Sequence, residues 1–231
     1  MQFSAYESAA SWSMSQFMYR VYAWMSVAMV ISGLIAYTVG TSPSLAAKFV
    51  QNPWMFFIIV IAQLAVVLVL STQALKLDYS ATALLFLGYA VLTGLTLSVI
   101  FLVYTPISIY QTFFVTAGTF GFMSLYGYYT QSDLTKLGSF MLMGLFGLII
   151  AMVVNIFWRN STFDLIISVI GVLIFVLLTA VDVQRIKYIG QQLLADQRSL
   201  SKIAIQGALV LYLDFLNLFL FLLRFMGKQR E

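Results

Sequence analysis

Long runs of apolar residues, each about the length of one bilayer crossing and each closed by a short polar break, set the rhythm of this chain. A helix needs about 20 such residues to cross about 30 Å of hydrocarbon. Seven runs meet that length: residues 17–39, 53–74, 81–104, 108–129, 136–158, 163 to beyond Asp182, and 204–226. They are too long and too uniform for the alternating segments of about ten residues that build outer-membrane barrels, so the pattern predicts an all-α integral membrane protein with seven transmembrane helices. Pro53 stands at a helix start with Trp54 at the interface, and Pro106 in "TPIS" breaks the chain into a tight hairpin between the third and fourth runs. Residues 1–16 read as a polar N-terminal tail and residues 17–231 as one transmembrane domain. The first run exceeds the apolar core of a typical cleaved leader and is expected to stay as a helix.

Composition sharpens this picture. The 231 residues are 62% hydrophobic and 9% charged, where a soluble domain carries about 25% charged residues. The chain has no cysteine and no histidine. That removes thiol nucleophiles, Cys/His zinc sites, haem ligation through His, histidine bases and histidine pH sensors. Proton chemistry falls to carboxylates, tyrosines or lysines. The net charge of +4 comes from basic residues scattered at helix ends, which fits positive-inside anchoring in a lipid bilayer and not binding of nucleic acid. Seven Lys and Arg on the N-terminal side against five on the other predict a cytoplasmic N-terminus. The small residues of "TGLTLS" (93–98) and "TAGTFGFMSLYG" (116–127) are expected to let the third and fourth helices approach closely, as small faces do in lipid.

Of eight acidic residues, only Asp182 and Asp214 fall inside apolar runs. Asp214 sits in "GALVLYLDFLNLFLFLLRFMG" (207–227), where a carboxylate costs about 2.5–3.5 kcal/mol on insertion scales. At 3.6 residues per turn it shares a face with Gly207, Asn217, Phe221 and Arg224, while Asp182 shares one with Gly171, Leu178 and Arg185. One reading makes these groups structural glue, Asp182 pairing with Arg185 and Asp214 with Asn217 and a neighbouring Tyr. The other has the two carboxyls share a proton, because like charges in a low-dielectric site do not both ionise cheaply. Asp182 lies about 26 Å along its helix and Asp214 about 15 Å along its own. They meet only if the sixth helix runs on past Asp182 or the seventh begins late.

The segments "LYLDFLNLFLFLLRF" (211–225), "LTAVDVQRIK" (178–187), "LTGLTLSVIF" (92–101) and "TFGFMSLYGYYT" (119–130) resemble those of the Bax inhibitor-1, or transmembrane Bax inhibitor motif, family, closest to its bacterial YccA-like branch. The resemblance covers nearly the whole chain. It implies two three-helix layers around a central C-terminal helix, and a calcium-conducting cation leak that responds to pH. It assigns the proton-sharing pair to Asp182 and Asp214, and a latching cation at the end of the second helix, for which Lys76 is the candidate, with Asp78 close by as a competing partner. Arg185, Asn217 and Arg224 are the supporting polar residues. Calcium enters as the permeant ion and not as a cofactor, with the two hard carboxylates offering it at most a weak contact. Eukaryotic members suppress cell death; bacterial ones are linked to a membrane-bound ATP-dependent protease, which places such proteins in the inner membrane.

No enzyme is expected. An intramembrane aspartyl protease would also use two membrane Asp residues, but the chain lacks Gly-x-Gly-Asp before Asp214 and a Pro-Ala-Leu segment, its prolines being Pro43, Pro53 and Pro106. A rhomboid-like serine protease fails for want of His, and Ser124 reads as packing. A retinal protein fails because Lys202 and Lys228 flank the last run. The remaining rival is a regulator that binds a membrane protease or another membrane protein, with residues 1–16 as its handle and the Asp pair structural.

Overall fold

The computed structural model describes the backbone of residues 2–42, 44–45, 52–194 and 196–230, and the side chains of these except residues 2–13, 53 and 197. Met1, the first residue of the expected tail, lies outside them, as does Pro43. Among the described residues seven long helices follow one another: α1 (Gln2–Gly40), α2 (Pro53–Gln73), α3 (Tyr79–Leu97), α4 (Pro106–Tyr129), α5 (Thr135–Trp158), α6 (Ser161–Gln192) and α7 (Gln197–Met226). A single further turn, Ile100–Val103, prolongs α3.

The helix ends depart from the sequence reading in three places. α1 starts at Gln2 and not at residue 17, because the stretch before the apolar run holds no Gly or Pro and several good helix formers. α6 runs on to Gln192. α7 starts at Gln197, where Asp196 Oδ1 accepts hydrogen bonds from the N–H groups of Arg198 (3.1 Å) and Ser199 (3.2 Å) in the manner of an N-cap. Only residues 193–196 therefore separate the last two helices. The third run is also interrupted. The Ser98 hydroxyl donates to the Leu95 carbonyl at 2.6 Å, a side-chain to backbone bond of the kind that competes with regular helix.

Among the described residues, six helices are long and apolar enough to cross a membrane: Met14–Gly40, Trp54–Gln73, Tyr79–Val103, Thr135–Trp158, Ser161–Gln192 and Arg198–Met226. The expected seventh crossing, α4, has 24 residues. It is long enough but less apolar, because Ser108, Thr112, Thr116 and Ser124 lie on its buried face. The break before it falls where Pro106 was expected to place it: Thr105 caps α4 by accepting the Ser108 N–H at 3.4 Å, with Pro106 in the first turn.

The helices belong to two compact units, one of Met1–Val103 with Lys187–Tyr212, the other of Tyr104–Ile186 with Leu213–Glu231. In the first, α1 and α2 both pack on α3. Gly94 lets α1 close in, since a Cβ there would meet Ile35 Cβ at 2.7 Å and the Ser32 carbonyl oxygen at 2.8 Å. Tyr212 is wholly buried between Phe86 and Tyr89, edge-on to both with ring centroids 6.0 Å apart. Its hydroxyl donates to Ser32 Oγ at 2.9 Å, and Gln63 Nε2 donates to Thr93 and Thr96 hydroxyls at 3.1 and 3.2 Å. Such interhelical hydrogen bonds join helices where apolar burial drives nothing.

In the second unit, α6 and the latter part of α7 lie antiparallel. Asp164 meets Arg224, Gly171 and Phe175 meet Phe221, and Asp182 meets Asp214. Position rises on α6 as it falls on α7. Gly171 leaves room for the Phe221 ring, which stacks on Phe175 at 5.7 Å. On α4, Phe120 sits edge-on to Phe215 at 5.5 Å, and Gly127 brings its backbone against that of Ala180 on α6. The small residues of the third run thus serve contacts with α1 and α2, and those of the fourth a contact with α6.

Candidate functional site

Asp182 and Asp214 come together because α6 continues as helix well past Asp182, the condition that their depths along the sequence demanded. Their carboxyls face each other within hydrogen-bonding range. Two carboxyls hydrogen-bond only when one carries a proton, so the arrangement suits a pair that holds one proton between two acids. Asp214 is 5% exposed, its Oδ2 sealed and without a hydrogen-bond partner among the described residues. Asp182 is half-buried, and the charge of the exposed Arg185, one turn on, bears on it. Among the described residues no three acidic side chains gather to hold a metal ion.

The supporting residues separate. Asn217 is half-buried one turn beyond Asp214. Arg224 is engaged at the far end of the same face: its guanidinium grips the Asp164 carboxylate in two prongs, the Nε prong at 2.7 Å. Asn155 Nδ2 adds a third donor to Asp164 at 2.9 Å, and Asn155 Oδ1 accepts the Asn160 N–H at 3.2 Å. The C-terminal tail is pinned beside this cluster, with the Thr105 N–H donating to the Lys228 carbonyl at 3.0 Å and the Lys228 N–H to Ser108 Oγ at 2.9 Å. Lys76, the candidate latch, belongs to the other unit and is exposed in the turn after α2.

Three polar positions, Asp164, Gln184 and Ser124, take on a part that the local sequence pattern does not give them. Asp164 stands in the first turn of α6, and its one signal in the sequence is the need of Arg224 for a partner. Gln184, two residues after Asp182, is buried and clamps the α4–α5 connection: its Oε1 accepts the Leu134 N–H at 2.9 Å and its Nε2 donates to the Ser132 carbonyl at 2.8 Å. Ser124 is buried with its hydroxyl unpartnered among the described residues.

The profile of the family described as "Inhibitor of apoptosis-promoting Bax1" matches residues 14–231. The chain is 45% identical over 215 residues to the inner membrane protein YbhL of Escherichia coli K12, covering 93% of this chain and 92% of that one. A protein of Borreliella burgdorferi is 44% identical over 217 residues, 94% of each chain, and YrjE of Lactococcus lactis is 34% identical over 216 residues, 93% of this chain and 91% of that one. With a match that takes in α2 to α7 whole, including both intramembrane acids, this helical membrane protein belongs to the Bax inhibitor-1 family.

Proposed function

We propose that the protein is a pH-sensitive cation leak, conducting calcium across the bacterial inner membrane, with the protonation state of Asp182 and Asp214 as its switch. The observation that carries this reading is the contact of two carboxyls inside the membrane-spanning part of α6 and α7. A buried acid pair that shares one proton changes its net charge over a narrow range of pH, and every charged group nearby responds to that change. At higher pH the ionised pair would hold a cation at the end of α2, for which Lys76 is the candidate, and close the path. Protonation would release it. The carboxylates would also offer the passing Ca²⁺ hard oxygen ligands, too few for tight binding. Among the described spans α7 has the largest buried share, which supports the central position that the family resemblance implies for it; the other helices would form two triplets, with the N-terminus in the cytoplasm.

Calcium flux into dye-loaded proteoliposomes between about pH 5 and 8 tests the proposal, with wild type beside Asp214→Asn and Asp182→Asn. The expected result is a pH-dependent flux that either substitution alters. Unchanged transport and pH dependence in Asp214→Asn would sink the mechanism. No flux above empty liposomes at any pH would move the function to a regulator of a membrane-bound ATP-dependent protease or other membrane partner, with the N-terminal residues as the binding handle.

A further inference from the structure

We propose that Ser124 on α4 completes the Asp182–Asp214 site, its hydroxyl and Oδ2 of Asp214 holding one water molecule between them. The proposal rests on the reading of the acids as a proton-sharing pair, and adds to it a third helix and a hydrated component.

Two buried side-chain polar atoms lack a hydrogen-bond partner among the described residues: Ser124 Oγ and Asp214 Oδ2. Orphaned buried polar atoms are rare and call for an explanation each time. Hydroxyls elsewhere in these helices find the carbonyl one turn back: Ser32 donates to Ala28 (2.7 Å), Thr116 to Thr112 (2.7 Å), Ser168 to Asp164 (2.8 Å) and Thr179 to Phe175 (2.7 Å). Ser124, only 6% exposed, does not do this, although the same bond is open to it.

The register of α4 says where its hydroxyl stands. Residues 120, 124 and 127 recur at offsets of four and three and line one helix face. Phe120 touches Phe215, the residue after Asp214, and Gly127 touches Ala180, two residues before Asp182. Ser124 lies between these contacts, on the face turned to α6 and α7. Both orphaned atoms therefore belong to one seam, one on each wall, with the Asp182 carboxyl at its edge. A buried water typically takes about three hydrogen bonds from otherwise unsatisfied groups, and a hydroxyl with two carboxyls supplies them. The charges that bear on the pair are the two carboxyls themselves and Arg185 on α6; α4 carries no charged residue.

The test is an infrared pH titration of the full protein in liposomes, following the carbonyl stretch of the protonated carboxyl, with Asp214→Asn to assign the band. Ser124→Ala removes the hydroxyl that steadies the ionised carboxyl through the water, so its midpoint is expected to move to higher pH by about one unit, a tenfold change in the protonation equilibrium. Ser124→Thr keeps a hydroxyl and is expected to titrate close to wild type. An O–H stretch that shifts in ¹⁸O-labelled water should be present in wild type and Ser124→Thr and absent in Ser124→Ala. Equal midpoints in wild type and Ser124→Ala, or equal shifts in the Ala and Thr variants, would overturn the proposal and leave the pair intact. A wild type with no titrating band that Asp214→Asn removes would overturn the pair itself.

Discussion

Lys202 Nζ on α7 donates to the backbone carbonyl oxygen of Leu75, at the foot of α2, at 3.1 Å. One turn further along α7, Gln206 Nε2 donates to the Ser71 carbonyl at 2.9 Å. The last carbonyls of a helix have no partner within it, and a cation at that end also complements the helix dipole. α7 thus holds the end of α2 by two side-chain bonds, each worth about 0.5–1.5 kcal/mol. If opening requires α2 to move, both must break. The double variant Lys202→Ala/Gln206→Ala is expected to raise calcium flux several-fold at neutral pH and to increase the mobility of a spin label at Leu75. Unchanged label mobility would show that these bonds do not restrain α2.

The clasp of Asp164, Arg224 and Asn155 makes a different prediction. The ion pair is about one third exposed on each side, so water screens it and its contribution is modest for a two-pronged pair, about 1 kcal/mol. Arg224→Ala is expected to lower the melting temperature in detergent measurably, and Asp164→Asn to lower it less, because an amide oxygen still accepts from Asn155. Equal losses would mean that the charge and not the hydrogen bond dominates.

Gln184 is the more costly residue to lose. Gln184→Leu keeps the volume but strands the Leu134 N–H and the Ser132 carbonyl in the connection that these two bonds tie to α6. A buried donor left unpaired costs about 1–3 kcal/mol. The variant should melt well below wild type and expose the connection to limited proteolysis, and a proteolysis pattern like that of wild type would refute the clamp.

Gly127→Ala tests the close approach of α4 and α6. The added methyl would press into the backbone of Ala180, which has no flexible end to yield. Overpacking of this kind costs about 1–3 kcal/mol. Gly118→Ala, on the same helix with open space around it, is the matched control and is expected to be neutral or slightly stabilising.

Two exposed acids outside the membrane set a small pH dependence of stability. Hydrogen bonds from Ser199 to Asp196 and from Thr135 to Asp133 hold both carboxyls below the usual carboxylate range. A carboxyl depressed in the folded state stabilises it fully above the unfolded value, and that contribution fades as pH falls through the folded value. Asp196→Ala should therefore melt lower than wild type at neutral pH, with the gap closing in acid. A gap that is constant with pH would exclude the cap as its source.

The sequence was most legible where one physical rule dominates. Apolar length alone placed seven helices, because hydrocarbon tolerates no unpaired backbone. The faces carrying Asp182 and Asp214 were legible from helical periodicity, and their pairing followed once α6 proved to extend to Gln192. Helix ends were less legible, since nothing in residues 2–16 stops a helix and Asp196, though of a type that favours N-caps, stands well before the apolar run it introduces. The partners of Arg224 and Gln184 were not legible at all. They lie 60 and 50 residues away, and such contacts depend on the register between helices, which no local pattern encodes.

α4 has a consequence for how the protein enters the bilayer. It carries Ser108, Thr112, Thr116 and Ser124 on its buried face, yet Thr116 already satisfies its hydroxyl on Thr112 within the helix, before any neighbour is in place. Ser108 is occupied at the other end by the cap and by Lys228, the last of which is synthesised more than a hundred residues later. During translation α4 therefore faces the translocon with its Ser108 end incompletely paired until the C-terminus arrives. Ribosome-bound chains ending before Lys228 should hold α4 less firmly in the membrane than the finished protein does, which makes completion of the C-terminus a step in membrane integration and not merely its aftermath.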